Sequence, residues 1–265
     1  NSKRNYRCLE CVEFLNYVVE MFNKKGWSLD ASVGYAQKNN LFSTDEMVCT
    51  KTLYNYVDLG ILPIKNIDLP EKLKRNTKSS STRKNRKILG KSIEERTETV
   101  NLREEFGHWE IDSVLGKKKD TEPAIMTIVE RKTRMSLWIK IKDHSSMAID
   151  EALQSLINRF GTKKSEVFKS ITGDNGSEFA NLSNIENNGI SVYFTHPYTS
   201  CEKGTNECHN KMLRRFIPKG KSIDDYSAED ILFFSDTING LPRKILNYHT
   251  PEELFDNQLD RIYAT

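Results

Sequence analysis

Apolar residues recur at the 3.6-residue period of a helix through the first part of the chain, then switch near residue 103 to the alternation of strands. From Leu9 onward, Val12, Leu15, Val18, Val19 and Phe22 share one helical face, and Gly26 stands where that helix should stop. A second helix is predicted over about 28–38, with Leu29, Val33, Tyr35 and Ala36 turned inward. Ser43 and Glu46 have the spacing of a capping box before a short helix, and Thr50 can cap a further helix over 51–59 that Gly60 ends. Two short helices with a tight break, the second carrying Lys51, Thr52, Tyr54 and Asn55 on its outer face, match a helix-turn-helix pattern. An unspecialised helical bundle is the alternative reading.

The second part reads as strands over 108–115, 124–130 and 135–142, joined by short charged turns as an antiparallel meander. An amphipathic helix over 145–160, a strand over 167–172, a short helix over 181–188, a strand over 190–195 and a long helix over 204–216 follow. The order is β-β-β-α-β-α-β-α, an α/β fold with a mixed five-stranded sheet flanked by helices. Ser227 and Asp230 cap a helix whose Ile231, Leu232, Phe233 and Phe234 read as core. Thr250-Pro251-Glu252-Glu253 opens another, with proline in the first turn and acids near the positive helix end.

Composition changes the picture mainly through where the charge falls. The chain has 265 residues with 40 Lys and Arg against 37 Asp and Glu, a net charge of only +3. Between Lys72 and Lys91, however, nine residues are basic and none is acidic, around the apolar-free stretch Thr77-Lys78-Ser79-Ser80-Ser81-Thr82. That stretch is a linker rather than core, and its cations face either solvent or phosphates. No run approaches the roughly 20 apolar residues of a membrane-spanning helix, so no membrane partner is expected. The polar Asn1–Arg7 lacks a signal-peptide pattern, and an odd cysteine count of five points to reduced thiols and a cytoplasmic setting. Cys8 and Cys11 have zinc-compatible spacing, but no second pair matches it.

Three acids stand out. Asp112 interrupts an apolar strand, Asp174 follows a strand end beside Asn175-Gly176-Ser177, and Glu207 opens the long helix, at separations of 62 and 33 residues. Strand ends and a helix start can converge on one sheet edge, and clustered carboxylates need a cation. Oxygen ligands select Mg²⁺ or Mn²⁺, and two such ions suit displacement at a phosphodiester. Spacing alone leaves open that these are three ordinary acids among 37.

The runs Gly107-His108-Trp109-Glu110-Ile111-Asp112, Thr172-Gly173-Asp174-Asn175-Gly176-Ser177-Glu178-Phe179, His196-Pro197-Tyr198 and Gly204-Thr205-Asn206-Glu207 closely resemble the DDE transposases of the bacterial insertion sequence thirty family. Arg214-Arg215-Phe216-Ile217-Pro218-Lys219-Gly220 and the segment from Pro242 to Phe255 are similar to its later motifs, and Thr52-Leu53-Tyr54-Asn55-Tyr56 and Ile67-Asp68-Leu69-Pro70 to the end of its DNA-binding region. The resemblance covers roughly residues 45 to 260. It departs after Glu207, where the family commonly has Asn, a polar residue and Asn-Gly but this chain has Cys208-His209-Asn210-Lys211, and at Cys201, where many relatives have Trp.

The resemblance implies a ribonuclease H-like integrase core with Asp112, Asp174 and Glu207 as catalytic, metal-binding triad and two Mg²⁺ or Mn²⁺ ions as cofactors. The reaction it implies is cleavage of phosphodiesters at transposon ends and joining of the 3′-hydroxyls to target DNA. Double-stranded DNA is the expected partner, and synapsis of two ends implies a homodimer or larger assembly in a bacterial, nucleoid-associated setting. The domains expected are 1–70, helical and DNA-binding; 71–102, a basic linker; 103–220, the catalytic core; and 221–265, a helical extension packed on the core. Lys51, Thr52, Tyr54, Asn55, Lys74, Arg75, Arg83, Lys84, Arg86, Lys87, Lys203, Lys211, Arg214 and Arg215 are the expected DNA contacts. His209 is expected in the core or against DNA rather than on metal. A nuclease of the same fold without strand transfer fits the triad equally, and a non-catalytic DNA-binding regulator fits residues 1 to 91.

Overall fold

The computed structural model describes residues 7–69, 89–117, 122–196 and 200–264. It divides into two compact units, Asn1–Ser81 with Gly240–Thr250, and Thr82–Asn239 with Pro251–Thr265. The expected linker cations Lys74, Arg75, Arg83, Lys84, Arg86 and Lys87 lie outside the described residues.

The first unit is helical: α1 (Val12–Lys25), α2 (Leu29–Lys38) and α3 (Thr50–Asp58). Gly26 ends α1 at φ 65°, and the Ser28 hydroxyl caps α2 by accepting from the Ala31 amide at 3.1 Å. Phe14, Val18, Leu29, Leu53 and Val57 close the small core. The Ser43–Glu46 capping box forms, but it opens a single 3-10 turn, Thr44–Glu46, instead of a helix. The break between α2 and α3 is therefore longer than the tight turn expected of a helix-turn-helix.

Residues 240–250 correct the expected C-terminal extension over 221–265, because they belong to this first unit. The chain turns through Asn247 and Tyr248 at positive φ of 50° and 59°, and the Tyr248 ring occupies the space a side chain at Gly34 would need. Lys38 Nζ lies 2.6 Å from His249 Nδ1. Only a glycine on α2 admits this contact, a constraint that periodicity does not reveal.

The second unit is built on β1 (His108–Leu115), β2 (Ala124–Glu130) and β3 (Ser136–Ile141), preceded by the short α4 (Glu98–Leu102). Then come α5 (Ser146–Asn158), α6 (Lys164–Val167), β4 (Ser170–Gly173), β5 (Ser191–Phe194), α7 (Gly204–Phe216), α8 (Ala228–Asn239) and α9 (Pro251–Tyr263). The sheet order is β3-β2-β1-β4-β5, antiparallel through β1 and parallel from β1 to β4 and β5. The strand expected over 167–172 begins later, because Val167 closes α6 and packs with Phe168 in the core. Residues 182–188 are a 3-10 helix.

Alternation along β1 divides its side chains between two environments. Trp109 and Ile111 point into the apolar core, where the Trp109 ring stacks on Phe168 at 4.8 Å and its indole N–H donates to the Val167 carbonyl at 2.8 Å. Glu110 and Asp112 point to the opposite face, which α7 covers. On α8, Phe234 stacks on Phe216 at 4.6 Å, but Leu232 and Phe233 are exposed, so half of that apolar run is not core.

Glu110 is fully buried and is neutralised by Arg131, while its second oxygen accepts the Asn206 amide at 3.0 Å at the start of α7. Removing one member of a buried pair leaves an uncompensated charge. Arg131→Met should therefore cost about 3–5 kcal/mol in chemical denaturation. Adding Glu110→Gln to that variant should recover most of the loss, because no isolated charge then remains.

Candidate active site

Asp112 and Asp174 are brought together by strand register. Glu110 pairs with Thr172 across the parallel β1–β4 ladder, and continuing that register two residues sets Asp112 beside Asp174 as β4 ends. The Asn175-Gly176 turn keeps the second carboxylate at the sheet edge, where Asp174 Oδ1 accepts the Gly176 amide at 2.9 Å.

Between the two aspartates lies the ammonium of Lys203. Its Nζ is 3.3 Å from Asp112 Oδ1, 3.0 Å from Asp174 Oδ2 and 3.1 Å from the Ile111 carbonyl, and it sits 5.6 Å from the Phe179 ring centre. Lys203 is only 7% exposed. An ammonium has three protons to donate, and three oxygens receive them. Burial pushes the Asp112 carboxyl above its ordinary range; Lys203 opposes the rise and the charge of Asp174 adds to it. Burial alone would lower the lysine, but the two carboxylates outweigh it and leave its pKa raised.

Glu207 stands one helical turn beyond Lys203 and pairs with Lys211 at 2.9 Å. It does not join the aspartate pair in this arrangement. Its neighbour on α7 does: Asn210 Nδ2 donates to Asp112 Oδ2 at 2.7 Å, and Thr127 donates to Asn210 Oδ1 at 3.1 Å. Asn210 is also the asparagine retained in the otherwise altered run after Glu207. Among the described residues, no group of three or more His, Cys, Asp or Glu side chains is placed to hold a metal ion. The cradle of two carboxylates and a carbonyl around Lys203 Nζ nevertheless offers oxygen alone, which fits a hard cation.

A further cluster escaped the sequence reading. Ser113, next to Asp112, lies 2.7 Å from His144 Nε2 and donates to Glu178 Oε1 at 3.2 Å, and His144 lies 3.3 Å from Glu178. Glu178 belongs to the same run as Asp174, the one available signal; His144 lies in a turn with none. The hydrogen bond with Glu178 raises the imidazole pKa, against the effect of burial. Burial would raise the Glu178 carboxyl, but hydrogen bonds from His144, backbone and Ser113 and the charge of His144 leave it lowered.

The other expected residues fall into three groups. Lys51, Tyr54 and Asn55 are exposed on α3 and Thr52 is half-buried there, with Leu53, Tyr56 and Val57 inward, so that outer face is as expected. Lys211 and Arg215 are exposed on α7. Lys203 is turned inward to the aspartates, and Arg214 donates to the carbonyl of Leu115 at 2.8 Å, so neither presents its charge to solvent as a surface phosphate contact would. His209 is buried, with its ring nitrogens at the carbonyls of Thr205 and Arg134. His196 pairs with Glu202. Cys8, Cys11, Cys49 and Cys208 form no disulfide.

Known proteins resemble this chain over its catalytic unit. Residues 103–200 match the integrase core domain. The chain is 44% identical over 207 residues to a probable transposase for insertion-like sequence element IS1161 of Streptococcus salivarius, covering 78% of this chain and 58% of that protein. It is 32% identical over 170 residues to transposase InsI for insertion sequence element IS30A of Escherichia coli, covering 64% of this chain and 43% of that protein. The chain is thus similar to transposases of bacterial insertion sequence elements, IS30A among them. It spans about half the length of these relatives. The part that matches the integrase core domain contains the mixed five-stranded sheet β3-β2-β1-β4-β5 flanked by helices. The catalytic core domain of BIV integrase matches with a TM-score of 0.44 and 19% identity over 59% of this chain and 98% of that one. No helix among the described residues is long and apolar enough to cross a membrane.

Because folding raises the His144 pKa, its protonated form is favoured in the folded protein. That contribution is complete below the ordinary value of 6.5 and disappears as pH rises through the raised value. An NMR titration should give His144 a midpoint above 6.5, and Glu178→Gln should move it down. A midpoint unchanged by that substitution would show that Glu178 does not set it.

Proposed function

We propose that this chain carries the catalytic part of a DNA transposase that cuts phosphodiesters at transposon ends and joins the 3′-hydroxyls to target DNA. The observation that carries this reading is the Asp112–Asp174 pair, set side by side by the parallel β1–β4 register with its carboxylate oxygens gathered around one cation, the Lys203 ammonium. Similarity to transposases of insertion sequence elements supports it.

Asp112, Asp174 and Glu207 would hold two Mg²⁺ or Mn²⁺ ions. Bound divalent metal supplies charge stabilisation at the phosphodiester and lowers the pKa of an attacking water. Asn210 orients Asp112 through Oδ2, while Oδ1 faces the Lys203 ammonium that Asp174 shares. Glu207 would join the pair by turning its side chain away from Lys211. Two transposon ends held together call for a dimer or larger assembly on double-stranded DNA. On α3, Lys51, Thr52, Tyr54 and Asn55 are the proposed DNA-contacting face, and the linker residues Lys74, Arg75, Arg83, Lys84, Arg86 and Lys87 would track phosphates without reading sequence. Arg215 adds to that basic surface.

With Mg²⁺ and labelled transposon ends, Asp174→Asn should lower cleavage by about a thousandfold or more, since several kcal/mol of charge stabilisation disappear. Given pre-cut ends bearing a 3′-hydroxyl, the unaltered protein should produce joined DNA. Cleavage without joining would identify a nuclease, and DNA binding indifferent to Asp174→Asn with neither reaction would identify a regulator.

A further inference from the structure

Lys203 is the one buried cation at the candidate site among the described residues, and its ammonium sits between the two carboxylates proposed as metal ligands. Its ammonium is saturated by Asp112 Oδ1, Asp174 Oδ2 and the Ile111 carbonyl, at 3.0 to 3.3 Å. Two carboxylates beside one ammonium leave a net charge of −1 where the fold has brought like charges together. A divalent ion would neutralise the pair completely. It could not share the cradle with the ammonium, because the oxygens that hold Nζ are those a hard cation takes.

We propose that Lys203 is a built-in counter-cation: it holds Asp112 and Asp174 together before metal arrives, and a divalent ion binds between them only by displacing its ammonium. Lys203 thereby sets the metal affinity of the site. The proposal rests on the reading of Asp112 and Asp174 as metal ligands. Lys203 lies just before α7, at the end of the 3-10 turn Ser200–Lys203, so its departure requires side-chain rotation and no movement of β1 or β4. The entry of metal and the release of Glu207 from Lys211 then concern one segment, since Lys203 and Glu207 are one turn apart.

The test is calorimetric titration of Mn²⁺ into the full chain, without DNA, for the unaltered protein, Lys203→Met, and Lys203→Met with Asp174→Asn. Lys203→Met should bind Mn²⁺ at least about tenfold more tightly than the unaltered protein, because it has no ammonium to displace. The added Asp174→Asn should abolish that gain. Equal binding by the unaltered protein and Lys203→Met, lost with Asp174→Asn, would overturn the competition while leaving the metal reading intact. Weaker binding by Lys203→Met would make Lys203 a positioning residue and overturn it as well. No Mn²⁺ binding by either protein would sink both readings.

Removing the ammonium also leaves two bare carboxylates, so the variant should melt lower without metal and gain more from Mn²⁺ than the unaltered protein does. If Lys203→Met is unfolded in buffer, Lys203→Gln is measured beside it. Failure of saturating Mn²⁺ to restore either variant would show that a metal ion cannot take the place of the lysine, and would overturn the proposal.

Discussion

Two carboxylates cannot stand side by side in a half-buried strand edge without positive charge between them, and the rest of the catalytic unit is arranged around that constraint. The parallel β1–β4 register creates the problem by aligning Asp112 with Asp174. The α7 segment answers it twice, with Lys203 between the carboxylates and Asn210 on the far oxygen of Asp112. A site organised in this way already contains oxygen ligands aimed at a common point. What changes on metal binding is the identity of the cation.

The same strand supplies a contrast. Glu110 and Asp112 lie two residues apart on one face of β1, yet they have different neighbours and different uses. Glu110 is sealed in against Arg131 and the first turn of α7, which fixes where that helix begins. Asp112 remains partly open, beside a lysine whose long side chain can swing away. An arginine fork locked into a buried pair is a structural anchor, whereas a compact ammonium on a flexible stem is suited to be exchanged. Glu110 thereby positions the helix from which Glu207 projects.

Much of this architecture was legible in local sequence. Gly26, Ser28 and Ser145 terminate or cap helices through their own backbone chemistry, and the apolar alternation in β1 and β3 marks both as strands, although the first half of β1 is buried on both faces. The three acids could be singled out from their motifs. What stayed hidden depends on distant partners. Lys203 looks like a surface cation until β1 and β4 are seen on either side of it. Arg214 looked available for phosphate until the end of β1 was found against it. Phe233 belongs to an aromatic run that suggests core, but its helical position turns it outward while Phe234 packs on Phe216. Residues 240–250 return to the first unit through the fit of Tyr248 over Gly34, which neither residue announces alone.

The most direct measurement is a crystal structure of the protein with Mn²⁺, located by its anomalous scattering. A manganese peak in contact with both Asp112 and Asp174 is expected, with the ammonium of Lys203 withdrawn from the cradle. Lys203 still seated between the two aspartates at saturating Mn²⁺, with the ion bound elsewhere, would contradict that expectation.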